Sequence, residues 1–410
     1  MSGPTLLNQN TQSGSVAARY AVRGNTLKGS ALVQQMALSP AYAAPVQASP
    51  AIVTESTTAR TGNTKNIGYT NSLFRWSAAL NTSGGAANPR GCTYADGTGF
   101  HGSVPYASMA FDYDQQYFDI LYKPLSGIQY RIWVNEQAHS ASMVNVVTTG
   151  ASQAYLQVDL GAATSGVNRR IVVEFVSESG SITFYGVYCP PTASVVPPAI
   201  ASPRVMIVGD SYDLGIGASS KAYGYSTTLG RMMGWADTWT CMFGVASTGL
   251  IQGVNTKDTN YITRLQPDVI ANNPDLVIIQ GSLNDNPHVG KQLIGPALAT
   301  YVNTLRAAIP NVTVVVTSPM YAGSPPASYL QVRDELKTAA AQLGVPFVDL
   351  FNPVSFTGSG NTTAPTGAGN SDYYLGGAND PSHLHPSDAG HYYLASVLKP
   401  RLSAALGLAV

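Results

Sequence analysis

Residues 190–212 read PPTASVVPPAIASPRVMIVGDSY, and two kinds of chain meet inside this stretch. Five prolines fall between positions 190 and 203. Proline fixes φ and carries no N–H, so the segment suits neither a helix nor a central strand. Residues 191–203 therefore read as a linker. The unbroken apolar run at 205–208 follows, as expected of a strand buried on both faces of a parallel sheet. Gly209-Asp210-Ser211-Tyr212 then turns the chain at that strand's carboxyl end.

Beyond this point short apolar runs recur at 240–243, 276–279, 312–317 and 347–350. Helical stretches separate them. Leu298, Tyr301, Val302, Leu305, Ala308 and Ile309 share one helical face that stops at Pro310. A second helix is expected over roughly 328–343, ending at Gly344. Alternating strands and helices predict an α/β domain over 204–410, a parallel sheet with helices on both faces. Active residues of such sheets gather at the carboxyl ends of the strands.

Upstream the period is two. Phe118, Ile120 and Tyr122 alternate with Tyr117, Asp119 and Leu121. Further runs lie at 130–134, 155–160, 170–175 and 182–188, with Gly, Ser and Asn between them. Residues 61–190 thus read as an antiparallel, jelly-roll-like β-sandwich. Residues 1–60 are polar and weakly periodic, an extended arm suited to attachment or self-association.

Four stretches of the second half carry chemistry. Ser211 follows the first strand, where substrate would lie. Gly244-Val245-Ala246-Ser247-Thr248-Gly249 is a small-residue loop whose backbone N–H groups can approach a ligand. Gly281-Ser282-Leu283-Asn284-Asp285 offers a side-chain amide at the third strand's end. Asp380, His383, His385 and His391 cluster around Pro386, which suits a first helical position.

Together these blocks, from 204 to about 408, resemble the SGNH (GDSL-type) hydrolase family. That resemblance implies a three-layer, flavodoxin-like sheet, with Ser211 as nucleophile and a histidine as its base. The oxyanion donors it implies are the Ser211 N–H, the Ser247 N–H and the Asn284 amide. Ser247 stands where the family usually has glycine, and Gly249 replaces it if the loop is offset. Asp380 and His383 fit the family's D-x-x-H literally. His385 instead has the family's H-P-x-x-x-G spacing into the last helix, through Pro386 and Gly390. His385 is favoured as base and Asp380 as its orienter, with His383 the alternative base; a Ser-His dyad oriented by a backbone carbonyl is the other arrangement.

A sandwich ahead of such a domain is similar to carbohydrate esterase family two. It implies hydrolysis of short acyl esters, acetyl on carbohydrate foremost, without cofactor or metal. A lipid or aryl esterase and a virion or surface carbohydrate-binding structural protein are the alternatives. Residues 353–379 form a long insertion holding Tyr373 and Tyr374. With Tyr212 beside the nucleophile, these are expected to line the cleft.

Composition narrows the rest. Lys plus Arg and Asp plus Glu number 22 each, and only 11% of residues are charged. No basic run points to nucleic acid, and no apolar run is long enough for a membrane span. No H-E-x-x-H, Walker loop or G-x-S-x-G occurs. The first 30 residues do not read as a secretion signal, yet the low-charge surface suits an extracellular or virion-associated protein. Cys92 and Cys189 could pair in an oxidising compartment, while Cys241 reads as a buried thiol.

Overall fold

The computed structural model describes residues 51–69, 71–77, 80–81, 88–93, 100–103, 106–135, 137–161, 168–177, 183–198, 204–233, 235, 247–253, 260–321, 325–352 and 385–408. The arm before residue 51, the expected strand at 240–243 with Cys241, and the insertion at 353–379 lie outside them.

The first half is built on two packed antiparallel sheets, beside a small third sheet of Leu80–Asn81, Asn88–Thr93 and Phe100–Ser103. One has five strands, with Tyr117–Tyr122 at its centre between Ala154–Asp159 and Phe184–Cys189. The other has seven, with Arg169–Ser177 between Ile128–Val134 and Tyr106–Tyr113. Aromatic rings fill the space between. Phe111 meets Phe74 and Phe118 edge to face, with centroids 5.7 and 5.5 Å apart, a geometry the ring quadrupole favours. Tyr106–Tyr113 escapes a periodicity reading because all its residues are buried, including Ser108 and Asp112. With both faces covered, no apolar–polar alternation survives.

Two expected boundaries need correcting. Ile52–Ser56 pairs with Ala154–Asp159, so the sandwich begins inside the stretch read as an arm. Val195 and Val196 pair with Tyr113 and Asp112 at a sheet edge, so the sandwich also reaches into the expected linker. An edge tolerates flanking prolines because one side of the strand needs no donors. Cys189 is a free, buried thiol, so the pairing with Cys92 is not formed. Burial pushes that thiol up to about 11.

The second half is a three-layer α/β domain. Val205–Val208, Leu276–Gly281, Thr313–Pro319 and Phe347–Val348 pair in parallel and in chain order. Side chains of successive strand residues point to opposite faces. Val205, Ile207, Leu276, Ile278 and Val315 accordingly pack beneath Tyr225–Met232 and Asp388–Ala405. Met206, Val208, Val277, Ile279, Val314 and Val316 share the other core with Ile294–Ala308 and Ala327–Gln342. The expected face Leu298, Tyr301, Val302 and Leu305 is buried, and the helix stops two residues before Pro310. Ser387 caps the last helix by accepting from the Gly390 N–H. Pro386 therefore precedes the cap instead of opening the helix. No described helix is long and apolar enough to cross a membrane.

Candidate active site

Strand Val205–Val208 delivers Ser211 to the carboxyl edge of the sheet, and a run of tight turns holds it there. The Leu214 N–H donates to Asp210 O at 3.0 Å, and the Ile216 N–H to Ser211 O at 3.1 Å. His385, on the approach to the last helix, places Nε2 2.8 Å from Ser211 Oγ. These residues lie 174 positions apart in the chain. The contact has the length of a hydroxyl–imidazole hydrogen bond, within reach of proton transfer.

Among the described residues, three features hold His385 there. Its ring lies on Tyr212, with centroids 5.4 Å apart. Asp388, in the first turn of the helix, accepts from the Ser219 N–H at 2.7 Å and the Ser219 hydroxyl at 2.5 Å. Gly217, at φ +93°, lets the loop pass directly beneath the histidine. A Cβ there would strike the Pro386 carbonyl oxygen and sit 3.0 Å from His385 Cβ. A left-handed non-glycine residue costs about 1–2 kcal/mol before any such clash is counted. Gly217→Ala is therefore expected to lower kcat about tenfold or more by displacing His385. Steady-state kinetics on a chromogenic ester, with the melting temperature as control, checks this.

Asp210 ties the first block to the third. It is buried and accepts from the Tyr212 N–H at 3.0 Å, Gln280 Nε2 at 2.8 Å and Ser282 Oγ at 2.8 Å. Burial raises its pKa, and these three donors oppose the rise. The single Ser282 hydroxyl hydrogen serves either Asp210 or Thr248 O, the latter at 2.7 Å. Asn284 Nδ2 donates to Thr248 O at 2.9 Å and Ser282 Oγ at 3.0 Å. The amide thus braces the second block against the third.

The second block is shaped by Asp285, a residue to which the motif reading gave no role. Its buried carboxylate accepts from the N–H groups of Leu250 (2.8 Å), Ile251 (3.0 Å) and Gln252 (3.0 Å). Gly249 is required beside it, because a Cβ would lie 2.5 Å from Asp285 Oδ1. Ser247 is exposed and holds φ at +62°, a conformation that favours glycine.

Other expectations resolve differently. Tyr212 was expected to line the cleft, but it is only 1% exposed and packs in the core under His385. The residue after Ser211 turns inward because the tight loop points its side chain back toward the sheet. Asp380, His383, Tyr373 and Tyr374 lie outside the described residues. Among the described residues, no group of three or more His, Cys, Asp or Glu could hold a metal ion.

His391 is a fixed neutral clamp. Its Nδ1 accepts from the Tyr225 N–H at 3.2 Å, and Nε2 lies 3.0 Å from Ile216 O. Burial holds its pKa down at about 3. Below pH 6.5 the unfolded chain therefore takes up a proton that folded His391 refuses. Its contribution to stability is complete above pH 6.5 and shrinks as pH falls toward 3, by about 1.4 kcal/mol per unit. Asp213 acts in the opposite sense, because burial pushes it up to about 8. Comparing wild type with His391→Gln isolates the histidine. The stability gap between them should narrow by about 1.4 kcal/mol per unit between pH 6.5 and 4.5 in urea melts. A gap independent of pH contradicts the assignment.

Residues 207–393 match the model of the GDSL-like lipase/acylhydrolase family. No curated protein matches the sequence. Solved structures share the two-domain layout at low identity. A salicylyl-acyltransferase from a tetracycline biosynthetic pathway superposes with a TM-score of 0.59 at 16% identity, covering 84% of this chain and 98% of that one. A family two carbohydrate esterase from Cellvibrio japonicus gives 0.53 at 13% identity, covering 87% and 99%. An acetyl xylan esterase from the rumen bacterium Butyrivibrio proteoclasticus gives 0.52 at 13%, covering 84% and 99%. The parallel-sheet half of this chain thus carries the match to the GDSL-like lipase/acylhydrolase family model, behind a β-sandwich.

Proposed function

We propose that the chain is a serine esterase that removes short acyl groups, acetyl foremost, from carbohydrate. One observation carries the reading: a serine hydroxyl and an imidazole nitrogen lie 2.8 Å apart at the carboxyl edge of the sheet. Neutral His385 takes the Ser211 proton as Oγ attacks the acyl carbon. The imidazolium then protonates the departing sugar hydroxyl, and water repeats the cycle on the acyl-serine. The developing oxyanion is held by the Ser211 and Ser247 N–H groups, with Asn284 turning one amide hydrogen from Thr248 O toward it. A single such donor is worth about 3 kcal/mol in the transition state. Asp380 would orient His385 from the loop before it.

Carbohydrate is favoured because two of the similar structures are named as a carbohydrate esterase and an acetyl xylan esterase. The similar acyltransferase makes transfer to an alcohol the second reading, through the same acyl-serine. The test is acetate release from acetylated xylan and other acetylated polysaccharides, beside p-nitrophenyl acetate and octanoate, with and without an added alcohol. The expected result is acetate from polysaccharide, and kcat/KM for acetate about tenfold or more above octanoate. Preference for octanoate would assign a lipid esterase. Acyl capture by the alcohol in preference to water would assign a transferase.

A further inference from the structure

Glu174 lies in the sandwich strand Arg169–Ser177, yet its buried carboxylate reaches into the other domain. Within the sandwich it accepts from Arg131 Nε at 2.7 Å, Trp133 Nε1 at 2.6 Å and the Tyr106 hydroxyl at 2.8 Å. From the hydrolase domain it pairs with Arg231, on the helix Tyr225–Met232. All the groups at this junction are withdrawn from water, with Arg131 and Arg231 side chains 0% and 3% exposed. A buried carboxylate would ordinarily be driven neutral; two guanidiniums and the indole N–H outweigh burial and hold it at about 2.

The hydrolase end of this junction continues into the active-site loop. Arg231 Nη1 donates to Ala222 O at 2.8 Å. Ala222 belongs to the short turn Lys221–Tyr223, whose Tyr223 hydroxyl accepts from the sandwich Met143 N–H at 2.9 Å. Lys221 Nζ reaches Gly215 O at 3.2 Å. Ala218 packs in one apolar cluster with Tyr223, Ala222 and the sandwich residues Tyr106, Met143 and Val176. Gly217, next to Ala218, is the glycine beneath His385. The stretch 215–223 thus touches the nucleophile turn at one end, the histidine loop at its middle and the sandwich at the other.

We propose that Glu174 and Arg231 are positioning residues for the Ser211–His385 pair, so that the β-sandwich is a working part of the hydrolase site and not a detachable accessory. The inference rests on the esterase reading above. It adds that reaction geometry depends on a contact between domains, made by residues outside the Ser211–His385 pair.

Arg231→Met in the full chain tests it, because the longer stem keeps the packing and leaves Glu174 still paired with Arg131. Glu174→Gln is the second variant. Both are measured well below their melting temperatures. The expected result for Arg231→Met is kcat down about tenfold or more with KM within twofold, and faster amide hydrogen exchange over 211–223. Rescue of much of the lost kcat by Arg231→Lys is expected as well. A lowered melting temperature with kcat and exchange both at wild-type values in the two variants overturns the proposal and leaves a purely structural bridge. If the wild-type chain hydrolyses no ester, the esterase reading fails by itself. Amide exchange then decides the coupling alone, and unchanged protection over 211–223 overturns it.

Discussion

Replacing Ser211 by alanine is expected to lower kcat on a simple acetyl ester by about 10⁴ to 10⁶-fold, while the melting temperature stays within a few degrees of wild type. The physical reason is the division of labour around the hydroxyl. Ser211 is half-buried and its hydroxyl hydrogen-bonds with His385, a contact between two loops. The fold is secured by other groups: the Ile216 N–H donates to the Ser211 carbonyl, and Asp210 beside it carries three donors. Alanine leaves these backbone and carboxylate contacts intact. Residual hydrolysis reflects only the oxyanion donors acting on attacking water. A variant with a substantial fraction of wild-type kcat would remove Ser211 from the reaction.

The second large effect separates two histidines only two positions apart. His385→Ala is expected to cost about as much as Ser211→Ala, since in the proposed mechanism nucleophile and base act as one unit and their losses do not add. His383→Ala is expected to keep kcat within about threefold, because the proposed mechanism gives it no proton to move. The double variant Ser211→Ala with His385→Ala should be no slower than either single change. This non-additivity is a sharper sign of a shared proton transfer than either loss alone. A large loss at His383 with little at His385 reverses the assignment.

Much of this site can be read in the sequence, and the limits have physical causes. The Pro386 and Gly390 spacing pointed to His385 because cap chemistry fixes where the last helix starts, and so how far the imidazole stands from it. Helices such as Ile294–Ala308 are legible because one face is buried and the other wet. Tyr106–Tyr113 is not, since burial on both sides erases the period. Tyr212 reads as a cleft residue by its neighbour, but the turn sends its ring into the core. Asp285, Gly217 and Glu174 carry no local signal at all. Their roles exist only once segments 30 to 170 positions apart are brought together, as in the Asp285 cradle for Leu250 to Gln252. A glycine under a histidine, or a sandwich carboxylate meeting a helix arginine, is a property of the assembled domains.

The claim on which the rest depends is that Ser211 is made nucleophilic by His385. Incubation with a fluorophosphonate ester, followed by peptide mass mapping, tests it without reference to any natural substrate. The phosphonyl group should appear on Ser211 alone in the wild-type chain, and labelling should fall at least about a hundredfold in His385→Ala. Phosphonylation at some other serine, or equal labelling of Ser211 with and without the imidazole, would contradict the account.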